Sequence, residues 1–336
     1  MKTISLLRAV LISATGVLFC LVADVGAVGF QHVTAPDPEG APLEVGIWYP
    51  STATPVVLRT RTVSQTVAAD APVDGETLPL IVISHGTGGS YLGHYDTAIA
   101  LAEAGFVVAA VTHTGDNYAD QSRSLFILER PRHISRVIDY MLSGWSGHER
   151  IDAQKIGMFG FSAGGFTTLV SIGGRPDMAK IAPFCETHKT DFACQLIARN
   201  RDVLSTAAAA PPARDGAKDG RIKAVVVAAP AIGFTFSPGG LHDVTMPVQL
   251  WRAEDDVILP HPSYAEAVRL ALPKPPEYHV VPNAGHFDFL APCNEALAAR
   301  VPEICSSAPG FDRRAFHASM NQAVVEFFRR TLNAGG

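Results

Sequence analysis

The chain has 336 residues, 47% of them hydrophobic and 18% charged, which is enough apolar material for a sizeable core and excludes a chiefly disordered chain. Its formal charge of -5 offers no broad basic surface to nucleic acid or to anionic membranes. A small-molecule or polymer substrate is therefore the default partner.

Lys2 and Arg8 precede an apolar stretch, Ala9 to Val22, and small residues then end in Val25-Gly26-Ala27. This is the order of a secretory signal peptide, so residues 1–27 are expected to be removed after Ala27 and the product to be secreted or periplasmic. The apolar run is short for a membrane span of about 20 residues, so no stable span is expected after cleavage. Phe19 stands before Cys20, where a lipoprotein signal has a small residue. The remaining cysteines, Cys185, Cys194, Cys293 and Cys305, are even in number, as suits an oxidising compartment. Pairing Cys185 with Cys194 and Cys293 with Cys305 closes two short polar or Pro-containing loops. CxxC spacing, which a metal site would need, is missing.

Beyond the signal, residues 28–336 are expected to form one α/β domain. Pro42 to Tyr49 alternates loosely and predicts an early strand, followed by a connection rich in Thr, Pro and Val. Leu78 to Ser84 and Phe106 to Val111 are continuous apolar runs, the pattern of parallel strands buried on both faces. Between them Asp96 to Ala104 has helical composition and ends at Gly105, a residue suited to a helix C-terminus. The alternation continues with a helix over 133–142, strand 155–161, helix 163–172, strands 224–228 and 248–251, helix 264–272, strand 278–281 and helix 314–332. Strands alternating with helices predict a mostly parallel sheet covered on both faces. Residues 173–221 break the rhythm and are expected to form an insertion or lid over the sheet's C-terminal edge.

Gly160-Phe161-Ser162-Ala163-Gly164 is a G-x-S-x-G sequence between a predicted strand and a predicted helix, so the serine hydroxyl should stand at a sharp turn above the strand end. A serine needs a base to take its proton. His286 follows the last predicted strand in a short loop, where the chain returns to the same edge; His94, His113, His242 and His261 also lie near strand ends and compete, whereas His32 is expected to precede the sheet and His148, His188 and His317 sit in polar or helical contexts suited to solvated side chains. The chain order Ser, acid, His is met by Asp255 and Asp256, with Glu254 a weaker third. His85-Gly86-Thr87-Gly88-Gly89 follows strand 78–84 directly, so the backbone N–H groups of Thr87 and Ala163 are the expected oxyanion donors.

The segments SHGTGG, GFSAGG and NAGHFDF, with the Asp doublet after a strand, resemble the predicted dienelactone-hydrolase family and its relatives, the platelet-activating-factor acetylhydrolases. The stretches VGFQHVTAPDPEGAPLEVGIWYPS and RIDAQKIGMFGFSAGG carry the same resemblance. It implies the α/β-hydrolase fold, an ester hydrolase with a Ser-Asp-His triad, a small-molecule or lipid-like ester as substrate, and no cofactor. The family's spacing places the acid three residues after a glycine-like position and four before a proline, which selects Asp256. Dienelactone hydrolases proper use a cysteine nucleophile, so the family name does not itself carry the reaction to Ser162. Phe161 stands where many relatives have histidine. A peptidase or amidase on the same triad, and a binding protein on an inherited hydrolase fold, are the alternatives.

Overall fold

The computed structural model describes residues 26–60, 62–200, 217–236 and 239–333. The expected signal peptide lies almost wholly outside the described residues. The strands are β1 (Ala27–Ala35), β2 (Leu43–Ser51), β3 (Val56–Arg59), β4 (Ser64–Ala69), β5 (Leu78–Ser84), β6 (Val107–Thr112), β7 (Ile151–Phe161), β8 (Ile222–Ala228), β9 (Val248–Ala253) and β10 (Glu277–Val281). Among the described residues they form one sheet in the order β10-β9-β8-β7-β5-β6-β2-β1-β4-β3. The block from β10 to β6 is parallel throughout, and β2 joins it antiparallel to β6.

The continuous apolar runs are explained by what covers them. Alternate residues such as Val82, Ala109, Met158, Val227 and Leu250 face one layer, made by α2 (Arg130–Ser143), α3 (Ala163–Ser171) and α6 (Ala265–Ala271). Their neighbours Ile83, Val108, Phe159, Val226 and Trp251 face the other, made by α1 (Tyr95–Glu103) and α9 (Arg313–Asn333). Every residue of β6 is buried. Large side chains such as Phe166 and Phe328 are fully enclosed, each burial worth about 1.5–3 kcal/mol. Gly105 closes α1 with φ +97, a left-handed conformation open to glycine at no steric cost.

Three expectations need correction. The segment 27–35 is a strand, so His32 lies within the sheet rather than before it. The Thr, Pro and Val-rich connection holds the hairpin β3–β4, with Val56 and Val57 exposed. His317 is buried rather than solvated: Nδ1 bonds Asp96 at 2.6 Å and Nε2 donates to the Asp288 carbonyl at 2.8 Å. The segment 173–221 contains α4 (Ile181–Thr187) and α5 (Phe192–Arg199); residues 201–216 of that expected insertion lie outside the described residues. Two short helices, α7 (Glu295–Arg300) and α8 (Pro302–Cys305), precede α9. No helix among the described residues is long and apolar enough to cross a membrane.

The register brings the functional loops to one edge. Ser84 pairs with Gly160 and Val111, Phe161 with Ala228, Ala228 with Trp251, and Val281 with Ala253. The chain therefore leaves five neighbouring strands at the same level, just before His85, Ser162, Ala229, Glu254 and Pro282.

Candidate active site

At the end of β7 the chain reverses into α3 through Ser162, whose φ of 55° and ψ of -117° lie where a residue with a Cβ is strained. Hydrogen bonds on both sides hold it there. The Ser162 N–H donates to the Ala228 carbonyl at 2.9 Å, and its own carbonyl accepts from Ala231 at 2.9 Å and Phe166 at 3.1 Å. Gly160 and Gly164 make the turn sterically possible. A Cβ at Gly160 would lie 2.1 Å from Thr168 Oγ1, and one at Gly164 would lie 2.0 Å from the Ser84 carbonyl oxygen, so α3 can approach β5 and β7 only without them.

His286 follows β10 after a turn in which Asn283 takes φ +59. Asp288 fixes that turn, accepting from the Gly285 N–H at 2.8 Å and from Arg313 Nε at 3.0 Å, both groups of the ion pair being buried. His286 Nε2 lies 3.1 Å from Ser162 Oγ, and its Nδ1 lies 2.7 Å from Asp256 Oδ2. The other Asp256 oxygen, Oδ1, accepts the N–H groups of Ile258 at 2.9 Å and Leu259 at 2.7 Å. His286 and Asp256 are both buried. Asp255 and Glu254 are exposed, and neither bonds to His286. Phe161 packs its ring 4.8 Å from the His286 ring, so the residue that replaces the family's usual histidine forms a wall beside the imidazole.

The competing histidines stand elsewhere. His94 is enclosed against Phe159 and Phe161, and neither ring nitrogen has a hydrogen-bond partner among the described residues. Burial lowers it to about 4, against the opposing pull of Asp96. His113 contacts Ser84 Oγ at 2.8 Å and His133 at 3.1 Å. His242 and His261 are exposed.

The His85–Gly89 turn lies against Ser162, since a Cβ at Gly86 would stand 3.2 Å from that of Ser162. Neither Thr87 nor Ala163 uses its backbone N–H in a hydrogen bond among the described residues. Sequence reasoning missed what lies beneath this turn, a buried ion pair of Arg130 and Asp116 at 2.7 Å. It also missed Tyr264, which follows the acid loop and donates to the Asp191 carboxylate at 2.6 Å. That bond ties the start of α5 to the core, and burial together with the Asp191 hydrogen bond and charge raises the phenol far above its usual range. The cysteines are joined as Cys185–Cys194, linking α4 to α5, and Cys293–Cys305, bracketing α7 and α8, with Cα separations of 5.3 and 5.6 Å. Among the described residues no group of three or more His, Cys, Asp or Glu side chains is arranged to hold a metal ion.

A ferulic acid esterase from Streptomyces cinnamoneus matches this structure with a TM-score of 0.63, over 93% of this chain and 92% of that one. The chain has the α/β-hydrolase fold. At 20% identity the likeness to that esterase is one of fold. Residues 53–130 of the chain also match the family model described as platelet-activating factor acetylhydrolase, isoform II, in agreement with the resemblance carried by its motifs. That segment includes the His85–Gly89 turn, Asp116 and Arg130. The comparison with curated proteins finds no match.

Proposed function

We propose that this hydrolase is an exported serine esterase acting on small-molecule or lipid-like carboxylic esters. The observation that carries the reading is the unbroken contact chain Asp256–His286–Ser162 at a strained strand-to-helix turn. The family match supports a carboxylic-ester hydrolase. In this mechanism Ser162 Oγ attacks the acyl carbon while His286 Nε2 takes its proton. Asp256 keeps the proton of neutral His286 on Nδ1 and stabilises the imidazolium. The N–H groups of Thr87 and Ala163 receive the oxyanion. The C–O bond to the alcohol then breaks, His286 returns the proton to the leaving oxygen, and water, activated by the same histidine, hydrolyses the acyl-enzyme.

Export follows from the signal-like residues 1–27 and fits the two disulfides. Residues 28–336 then act as one hydrolase domain, with 173–221 as its insertion or lid. A panel of p-nitrophenyl esters of increasing acyl length, run beside a peptide p-nitroanilide, tests the substrate class. Esters should be cleaved with the larger kcat/KM at every acyl length that fits. Faster cleavage of the anilide would assign the site to amides instead.

A further inference from the structure

We infer that Arg130 and Asp116 are positioning residues that aim the Thr87 N–H at the developing oxyanion by gripping the peptide groups on both sides of it. The inference rests on the reading of Ser162 as nucleophile and Thr87 as oxyanion donor. Arg130 opens α2, and Asp116 lies in the loop after β6. Both are almost fully enclosed, at 2% and 3% exposure. The guanidinium donates Nε and Nη2 to Asp116 Oδ2 at 3.1 and 2.7 Å, Nη1 to the His85 carbonyl at 2.6 Å, and Nη2 to the Gly86 carbonyl at 3.3 Å. The other carboxylate oxygen of Asp116 accepts the Gly88 N–H at 3.0 Å.

Peptide geometry turns these contacts into a function. The Gly86 carbonyl and the Thr87 N–H belong to one planar trans unit and point in opposite directions. Fixing that carbonyl therefore fixes the direction of the N–H. Three donors meet the Gly86 oxygen: Arg130 Nη2, the Gly89 N–H at 3.1 Å and the Nδ1–H of His85 at 2.5 Å. His85 presents Nδ1 as a donor because its Nε2 accepts the His113 N–H at 3.0 Å, and burial together with the Arg130 charge keeps the ring neutral. The next peptide unit is held the same way, since the Gly88 N–H bound to Asp116 sets the Thr87 carbonyl. A buried ion pair is a poor source of net stability, because desolvation offsets most of the attraction and apolar residues of similar size often do as well. Beyond the ion pair itself, each of its side-chain hydrogen bonds among the described residues goes to the backbone of the turn His85–Gly88.

The test uses the full mature chain with Arg130→Lys and the isosteric Asp116→Asn, each normalised to active sites titrated with a fluorophosphonate. Deleting an entire oxyanion donor costs about 10²–10³ in kcat. A misaimed donor should lower kcat per titrated site by roughly 10- to 100-fold, with KM within about twofold. The affinity for a trifluoromethyl ketone, whose hemiketal needs the oxyanion site, should fall in parallel, while the affinity for the alcohol product stays unchanged. A purely structural pair would instead reduce the number of titratable sites and leave kcat per site intact. Should Arg130→Lys fail to fold, Asp116→Asn decides alone. Wild-type kcat per site in the folded variants overturns the inference while Ser162→Ala is inactive; an active Ser162→Ala overturns the underlying mechanism and the inference with it.

Discussion

Replacing Asp256 by asparagine should abolish most activity for a reason visible in the hydrogen bonds. One carboxylate oxygen accepts two backbone N–H groups, those of Ile258 and Leu259, at 2.9 and 2.7 Å. An asparagine at this position must keep its carbonyl oxygen there, because turning the amide would set NH2 against two N–H donors. The NH2 group then faces His286 Nδ1, 2.7 Å away in the present structure, and forces that nitrogen to accept. The ring proton moves to Nε2, 3.1 Å from Ser162 Oγ, where a proton acceptor is required. The same tautomer error in a serine protease costs about 10⁴ in kcat, or roughly 5.5 kcal/mol. Steady-state kinetics on p-nitrophenyl acetate for Asp256→Asn and Asp255→Asn would measure it. The first should lose about four orders of magnitude with an unchanged fold, and the second, altered only at an exposed side chain, should stay within a few-fold of wild type. Exchange of these outcomes would move the acid one residue earlier.

Two further outcomes concern stability. The disulfides close loops across sequence separations of 9 and 12, for which chain entropy predicts about 2.5–3 kcal/mol each, so dithiothreitol should lower the urea midpoint markedly; four alkylatable thiols in unreduced exported protein would contradict this. Acid should destabilise the fold through His94 and His133. Burial holds both at about 4, with Arg132 adding to the effect at His133 and Asp96 opposing it at His94, whereas an unfolded histidine titrates near 6.5. The unfolded chain alone therefore gains these protons, and stability present above pH 6.5 should fall by up to about 1.4 kcal/mol per histidine per pH unit between 6.5 and 4. Unfolding free energies that stay level across that window would refute the assignment.

The parallel strands were legible because burial on both faces leaves no polar positions, as in Leu78–Ser84, and the turn at Ser162 because it demands glycines at fixed offsets. Strand Ala27–Ala35 was not legible, since one of its ends is exposed in alternation and it carries Gly, Gln, His and Thr. Helix Ile181–Thr187 was hidden by Pro183, which is tolerated because it falls in the first turn, where its missing N–H has no helical partner. Local residue chemistry could not separate Asp255 from Asp256, two like neighbours whose difference is direction; the family spacing selected Asp256, the residue now found against His286. Arg130 and Asp116 gave no sign at all. Charged residues 14 positions apart look solvated until the fold brings them together beneath a turn.

The central claim is that Ser162 is the nucleophile. Labelling the mature protein with a fluorophosphonate, followed by peptide mapping, tests it most directly. A single adduct on Ser162, absent from Ser162→Ala, with kcat in that variant lower by about 10⁴ or more, is the predicted result. Labelling at another residue, or undiminished ester hydrolysis by Ser162→Ala, would contradict it.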